Sequence, residues 1–303
     1  NKLDLNEEII SIQSLKAKLN KKDNKGFYDH FDDFCNKKFD TINEGTQRHY
    51  LLLKKQLKEY KPSISLKEMD YSFLNNFFYH LRHNKGVGDS GLAMRRKNLI
   101  TTFEEFIKLG LVNTNPVKHL PRYKESTRDV FLTKEELQNL AKADLEFGNK
   151  TYGLELTRDL FLFSCYSGLR YSDMMDLKRE SITANKIILE TKKTKRVVEI
   201  PLKPEAISIL RKYNYKSKKG KIFPFRCNVS VNRDLKLIAM LAKIKKRLTF
   251  HASRHTFGSM LAYNGVQPFY IMKLMGHGDI RMTNRYVNSD SKILGDVMEK
   301  VKF

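Results

Sequence analysis

Four short motifs in the second half of the chain hold the side chains with the most chemical potential. They are Ser167-Gly-Leu-Arg170, His251-Ala-Ser-Arg254-His255, Leu274-Met-Gly-His277 and Asn284-Arg-Tyr286. Offsets of three and four residues place His251, Arg254 and His255 on one face of a helix. An arginine beside a histidine suits a phosphate group, because guanidinium binds two of its oxygens while imidazole moves a proton.

A metal site is the competing interpretation of the histidine motif. The motif lacks the glutamate of a metal-binding HExxH pattern, and an arginine stands among the would-be ligands, so a metallohydrolase ranks last. Taken one at a time, Arg170 is typical of a surface arginine, His255 of a packing residue and Tyr286 of a core tyrosine. The combined order of the motifs, with Tyr286 nine residues after His277, is what favours chemistry.

In this order the motifs resemble those of the tyrosine recombinase (phage integrase) family, over about residues 25 to 303. The stretches that carry the resemblance are SGLR (167–170), KKTKRVVEIP (192–201), HASRH (251–255), LMGH (274–277) and Tyr286. The resemblance implies six catalytic residues, namely Arg170, Lys193, His251, Arg254, His277 and the nucleophile Tyr286. Lys192, Lys193 and Lys195 compete for the lysine position, and the placement of Thr194 and of Ile200-Pro201 favours Lys193.

The resemblance also implies a mechanism that makes sense from the residue types. Tyr286 would attack a DNA phosphodiester while the two arginines neutralise its non-bridging oxygens. His251 would accept the phenol proton, Lys193 would protonate the leaving 5′ oxygen, and His277 would hydrogen-bond the phosphate. The products would be a 3′-phosphotyrosyl enzyme and a free 5′-hydroxyl, with no metal or cofactor required.

Charge composition points to a polyanionic partner. The 303-residue chain carries 57 Lys and Arg against 34 Asp and Glu, for a formal net charge of +23. Nucleic acid is the usual partner of so basic a chain. An anionic membrane surface is the rival, but no apolar stretch approaches the ~20 residues needed to span a bilayer. We therefore expect double-stranded DNA as the partner and no membrane association.

The three cysteines, Cys35, Cys165 and Cys227, are widely spaced and odd in number. They form no CxxC pair, so we expect reduced thiols in a cytoplasmic protein rather than disulfides or structural zinc. Asn6-Glu-Glu interrupts any signal peptide. A start at Asn1 instead of Met suggests a missing upstream segment, which mildly favours a mobile-element integrase without its arm-binding domain.

The elements that must carry the motifs are mainly α-helical with a small β-hairpin. Helical spacing predicts helices over Thr46–Tyr60, Ser72–Leu81 and Ser90–Leu109, the last closed by Gly110. These helices form an all-α domain without strands, which the family resemblance identifies as a SAM-like core-binding domain over residues 1–118. Two prolines and alternating charges in 116–129 predict an extended connection, and we place a linker at 119–130.

Residues 131–303 are predicted to form a mixed α/β catalytic domain. Thr133 and Glu136 make a capping-box pattern, and an apolar helix at about Leu154–Tyr166 ends near Gly168. Two β-rich runs, Lys186–Glu190 and Val197–Ile200, flank a turn and predict a hairpin. Helices follow Pro204, and two of them end at Gly265 and at Gly276.

Duplex DNA would be clamped between the two domains. The candidate DNA contacts are basic residues in two groups, Lys54, Lys55, Arg95, Arg96 and Lys97 and then Lys245, Lys246 and Arg247. Apolar residues on one face of 291–301 predict a C-terminal helix, which the resemblance implies docks into a neighbour within a synaptic tetramer. Integration or excision of a mobile element is the expected role, and the sequence leaves chromosome-dimer resolution open as an alternative. Its rivals are a type IB topoisomerase-like enzyme and a non-catalytic DNA-binding protein of the same fold.

Overall fold

The computed structural model describes residues 25–124, 130–146, 148–213 and 220–287. The chain forms two compact units, Asn1–Thr127 and Arg128–Phe303. The described part is mostly helical and contains one small antiparallel sheet, which confirms the predicted fold class. The predicted C-terminal helix over 291–301 lies outside the described residues.

The first unit is built from helices whose apolar faces meet in an aromatic core. The helices are α1 (Phe27–Phe39), α2 (Glu44–Tyr60), α3 (Tyr71–His83) and α4 (Asp89–Lys108). The start of α2 precedes the predicted one because Asn43, not Thr46, provides its cap by accepting a hydrogen bond from the Thr46 amide. Helix α1 was not located from the sequence, although its Phe27 packs on Phe103 and Phe106.

The stretch that follows α4 does not begin with the extended segment that the sequence predicted from residue 116 onwards. Pro116–His119 form a short 3-10 helix in which Val117 is fully buried. Asn115 stabilises this turn by accepting a hydrogen bond from the Val117 amide at 3.1 Å. Further along, the Tyr123 ring stacks on Phe78 with 5.5 Å between centroids. Val117 therefore belongs to the core of the first unit, and Tyr123 packs against it.

The second unit carries all four sequence motifs. Its described helices are α5 (Lys134–Lys142), α6 (Thr151–Ser167), α7 (Tyr171–Met175), α8 (Pro204–Tyr213), α9 (Asn228–Leu241), α10 (Phe250–Tyr263), α11 (Pro268–Met275) and α12 (Arg281–Val287). Short 3-10 helices lie at Gly148–Lys150 and Arg179–Ser181. The capping box predicted at Thr133 is confirmed, with both of its hydrogen bonds to Glu136 present.

Three strands form the sheet of the second unit in the order β1 (Ile182–Thr183), β2 (Lys186–Glu190) and β3 (Val197–Pro201). The predicted hairpin is confirmed, with β2 and β3 paired in an antiparallel register. Val198 and Ile200 face the core, because alternate residues of a strand point to the same side. The turn at 191–196, which contains the three lysines, is therefore anchored to the core by β2 and β3.

Helix α6 lies at the centre of the second unit. It packs against α8, α9 and α10, and most of its side chains are buried, as expected for a helix that is apolar on nearly all sides. The Ser253 hydroxyl of α10 donates to the Ser164 hydroxyl of α6 at 2.6 Å, so even the polar side chains at this contact are paired. This contact sets the residues that follow α6 beside the HASRH motif on α10.

Gly168 makes the turn that follows α6. Its φ of +68° lies in the left-handed region, and a Cβ at this position would stand 2.5 Å from the Phe257 ring of α10. Only glycine satisfies both constraints, because other residues pay for this backbone conformation and have no room for a side chain.

Gly168→Ala should lower the free energy of unfolding by about 2–4 kcal/mol. Backbone strain contributes about 1–2 kcal/mol and overpacking against Phe257 adds a similar amount. Gly265→Ala is the matched control, since Gly265 has a φ of +76° but no atom within 4 Å of an added Cβ. Urea unfolding of both variants measures the difference, and equal losses would show that the Phe257 contact costs nothing.

Candidate active site

Arg254 is the buried centre of the site. Its side chain leaves the middle of α10, the residue is 4% exposed, and its guanidinium donates to the backbone carbonyls of Gly168 and Met275. Burial first, and then the nearby Arg170, lower the pKa of Arg254 to about 9, so the group stays protonated at neutral pH. One side chain thus joins the turn after α6 to the end of α11.

Arg170 follows the Gly168 turn and stands at the start of α7. Its Nη1 lies 3.8 Å from Asp173 Oδ2, and burial lowers the pKa of Arg170 against the opposing effect of Asp173. Within the described residues this buried Nη1 has no hydrogen-bond acceptor. A buried cationic donor in this state is suited to an anion such as a phosphate oxygen.

Asp173 was missed by the sequence analysis. It is 4% exposed, and its Oδ1 accepts a hydrogen bond from the Lys192 amide at 2.9 Å while Oδ2 faces Arg170. The carboxylate therefore ties the β2–β3 turn to the arginine. Its position three residues after Arg170 on the same short helix was the available signal.

The two histidines of α10 lie beside the arginines. The rings of His251 and His255 meet edge to face with 4.5 Å between centroids, and His255 lies 5.8 Å from the Tyr286 ring. Although His251 is exposed as a whole, partial desolvation of its ring and then the charge of its cationic neighbours lower its pKa to about 4. His251 is therefore neutral at pH 7 and can accept a proton.

His277 follows the left-handed turn at Gly276, whose φ is +59°. The residue is 4% exposed, and its Nδ1 lies 2.8 Å from the Thr283 hydroxyl. Burial and then Arg254 lower the pKa of His277 to about 3, so the ring is neutral. With Nδ1 engaged by Thr283, a residue that the sequence analysis missed, Nε2 is the nitrogen left to a substrate.

Tyr286 completes the cluster from α12. It is 4% exposed and its ring stacks on His277, with 6.3 Å between centroids and 13° between planes. Gly258 makes room for it, because a Cβ there would stand 2.8 Å from two atoms of the tyrosine ring. The structure thus brings together five of the six predicted catalytic residues, namely Arg170, His251, Arg254, His277 and Tyr286.

The β2–β3 turn holds the three lysines that compete for the sixth position. Lys192 forms an ion pair with Asp176, which also pairs with Lys221. Lys195 is exposed and adopts a φ of +52°. Lys193 is exposed, and among the described residues it forms no hydrogen bond or ion pair. The pairing of Lys192 disfavours it as a proton donor, so Lys193 stays our prediction.

The predicted DNA contacts fall into two groups by their interactions. Four are engaged within their own units, with Lys54 on Asp32, Arg95 on Gln56, Arg96 on the Lys118 carbonyl and Lys246 on Glu136. The other four are exposed, namely Lys55, Lys97, Lys245 and Arg247, and of these Lys55 also lies 3.9 Å from the Glu59 carboxylate. In the described part of the chain, no group of three or more His, Cys, Asp or Glu side chains could hold a metal ion, and no helix is long and apolar enough to cross a membrane.

His277→Gln should flatten the dependence of stability on pH. The folded pKa of about 3 lies below the ordinary value of 6.5, so the neutral ring stabilises the fold above pH 6.5 and this contribution is lost as pH falls towards 3. From pH 7 to pH 5 the wild-type protein should lose about 2 kcal/mol that the variant does not lose.

Chemical unfolding at several pH values between 7 and 5 measures this effect, in a range above the titration of most carboxylates. His49→Gln, which replaces an exposed histidine of the first unit, is the control. Parallel curves for the wild type and His277→Gln would show that His277 is protonated as readily in the folded chain as in the unfolded one.

Comparison with known proteins extends over both units. The model of the phage integrase family matches residues 130–292, and that of the phage integrase SAM-like domain matches residues 26–125. A tyrosine recombinase of Pseudothermotoga lettingae is 26% identical over 253 residues, which cover 78% of this chain and 84% of that protein. The tyrosine recombinase XerD of Rickettsia bellii is 28% identical, over 64% of this chain and 72% of the relative.

Solved structures share the fold. The Tn1549 transposon integrase in complex with a circular intermediate DNA superposes with a TM-score of 0.73 at 18% identity, covering 90% of this chain and 98% of that one. A lambda integrase dimer bound to a COC′ core site gives a TM-score of 0.75 at 17% identity, covering 92% of this chain and 82% of that one.

Proposed function

The chain belongs to the phage integrase family, and we propose that it is a site-specific DNA recombinase that cuts and rejoins DNA through Tyr286. The observation that carries the proposal is the convergence of one buried and one half-buried arginine, two neutral histidines and one tyrosine in the second unit. Together these groups meet two chemical requirements of phosphodiester cleavage, the neutralisation of charge and the movement of protons.

Charge neutralisation is the first demand. The non-bridging oxygens of a phosphodiester repel a nucleophile and gain charge in the transition state, so fixed cations lower the barrier. Arg254 supplies one such charge from a buried position and Arg170 a second from a half-buried one, where electrostatic interactions are stronger than in water. His277, with Nδ1 engaged by Thr283, adds a neutral donor through Nε2.

Proton movement is the second demand. Tyr286 forms a bond from its phenolic oxygen to phosphorus while the bond from phosphorus to the 5′ oxygen breaks. The phenol proton passes to His251, which is neutral and able to accept it. We assign Lys193 to protonate the departing 5′ oxygen. The 3′-phosphotyrosyl linkage keeps the phosphoester energy, so another 5′-hydroxyl reseals the strand by the reverse steps.

For the whole chain we propose a core-binding domain over 1–118, a linker over 119–130 and a catalytic domain over 131–303. DNA would contact the eight predicted basic residues, and the four exposed ones, Lys55, Lys97, Lys245 and Arg247, are the better candidates. A mobile-element role is supported by the likeness to the Tn1549 transposon integrase. We further propose a cytoplasmic location and assembly of several copies on DNA through residues 291–301.

Tyr286→Phe should abolish covalent attachment to DNA and leave binding intact, because only the attacking oxygen is removed. Nicked suicide substrates from the ends of the presumed element trap the cleaved state, and an SDS quench reveals the adduct. Tyr263→Phe is the control, since Tyr263 is an exposed tyrosine of α10 and should still allow adduct formation.

An adduct that persists in Tyr286→Phe would show that another residue is the nucleophile. Specific binding without any adduct in the wild type would favour a non-catalytic DNA-binding protein. Relaxation of supercoiled DNA regardless of sequence would favour a type IB topoisomerase-like enzyme.

Deletion of residues 291–303 should impair assembly on paired sites more than binding to a single site. Gel-shift titrations on one and on two sites measure both effects. Unimpaired assembly of the truncated chain would show that the C-terminal segment is not needed for assembly.

The affinity for a single site should fall steeply with salt for both the full and the truncated chain, by about 10³-fold between 50 and 200 mM. The reason is that bound Lys and Arg side chains displace counterions from DNA. An affinity that does not change with salt would contradict the proposed binding of duplex DNA.

A further inference from the structure

The β2–β3 turn is attached to the turn that carries His277 by three side-chain hydrogen bonds. The Thr194 hydroxyl donates to the Gly276 carbonyl at 3.0 Å. The Arg196 guanidinium donates from Nη1 to the His277 carbonyl at 3.1 Å and from Nη2 to the Gly278 carbonyl at 3.2 Å. Arg196 therefore spans two successive acceptors with one planar group.

The acceptors lie in the turn that directly follows α11, beginning with its C-cap Gly276. Backbone carbonyls in such a turn need donors from elsewhere, and a guanidinium can supply two N–H groups to neighbouring carbonyls. Close approach is possible because Gly276 has no side chain, and a Cβ there would stand 2.7 Å from a methyl group of Val198 on β3. Backbone packing and side-chain bonds thus hold the same two segments together.

The turn itself is strongly constrained. The Thr191 amide donates to the Arg196 carbonyl at 2.9 Å, and the hydroxyls of Thr191 and Thr194 lie 2.7 Å apart. Lys195 is held at a φ of +52°, a left-handed conformation that is unfavourable for a non-glycine residue. Such a conformation persists only where surrounding contacts determine it, and the bonds of Arg196 and Thr194 are those contacts.

Lys193 gains its position from this arrangement. An exposed lysine has four flexible side-chain bonds, so its ammonium is placed only as well as its backbone is placed. Proton donation to a leaving group demands a heavy-atom distance within about 3.2 Å. A turn that moved relative to His277 would lose that distance even with the lysine intact.

We propose that Arg196 is a positioning residue for Lys193, holding the β2–β3 turn against the His277 turn so that the proton donor and the phosphate-binding histidine keep a fixed spacing. This inference rests on the proposed function, in which Lys193 protonates the 5′ oxygen. Arg196 touches no reacting atom and acts only through the lysine.

The chemistry of the leaving group separates this role from a general structural one. When the bond from phosphorus to the 5′ oxygen breaks, Lys193 gives its proton to that oxygen and becomes a neutral amine. If sulfur replaces the 5′ bridging oxygen, a thiolate leaves, and thiolates are stable near neutral pH because thiol pKa values are about 8.5. The reaction then needs no proton from the lysine.

The experiment measures the rate of adduct formation by the full chain on nicked substrates that carry either bridging oxygen or bridging sulfur. On oxygen, Arg196→Met should slow cleavage by about 10- to 100-fold, a part of the 10²- to 10⁴-fold that a general acid contributes. On sulfur, both Arg196→Met and Lys193→Met should cleave at nearly the wild-type rate. The double variant should be no slower on oxygen than Lys193→Met alone.

Two further variants separate the loss of positive charge from the loss of the contact with both carbonyls. Arg281→Met removes an exposed arginine from the start of α12, where it pairs with Asp279, and controls for the loss of one positive charge near DNA. Arg196→Lys keeps the charge but cannot span both carbonyls, and its smaller defect should also disappear on sulfur. Thermal unfolding checks that each variant is folded.

Specific outcomes overturn the inference. The inference is wrong if Arg196→Met cleaves the oxygen substrate at the wild-type rate. It is also wrong if Arg196→Met stays slow on the sulfur substrate while Lys193→Met regains the wild-type rate there. If both variants stay slow on the sulfur substrate, Lys193 is not the proton donor, and the positioning role of Arg196 is excluded as well. An intact Tyr286 adduct in that case would still support the proposed strand transfer.

Discussion

The site depends on one buried guanidinium, that of Arg254, bonded to the carbonyls of Gly168 and Met275. A cation removed from water must find acceptors, and backbone carbonyls just past α6 and at the end of α11 provide them. The same bonds fix the two segments that present Arg170 and His277. In the proposed mechanism, structural and chemical roles therefore coincide in Arg254, because the charge assigned to the phosphate is also the charge that orders the surrounding backbone.

Desolvation and then concentrated positive charge keep the histidines of the site neutral. Arg170 and Arg254 lie close enough to His251 and His277 to lower the pKa of both imidazoles, in addition to the effect of desolvation. Neutral histidines avoid further repulsion and keep a nitrogen able to accept a proton. Asp173 opposes this excess from beside Arg170, and an anionic phosphate group would complete the balance.

Much of this arrangement follows from the sequence, since local patterns determine it. The capping box at Thr133, the β-hairpin and the glycine turn after α11 depend on neighbouring residues, and motif order identified the five clustered side chains. Contacts across the fold were not predictable in the same way. The bond from Thr283 to His277 and the pairing of Lys192 with Asp176 depend on packing. Burial of Val117 likewise turned a proline-flanked stretch, predicted as extended, into a 3-10 helix.

Tyr286 packs against Gly258 and His277 of its own unit. In the proposed mechanism, a nucleophile held in this way gives each copy of the chain its own tyrosine beside its own arginines and histidines. A copy without Tyr286 could then not use the tyrosine of an intact neighbour, and adding intact chains to an assembly would not restore cleavage at the site of the defective one.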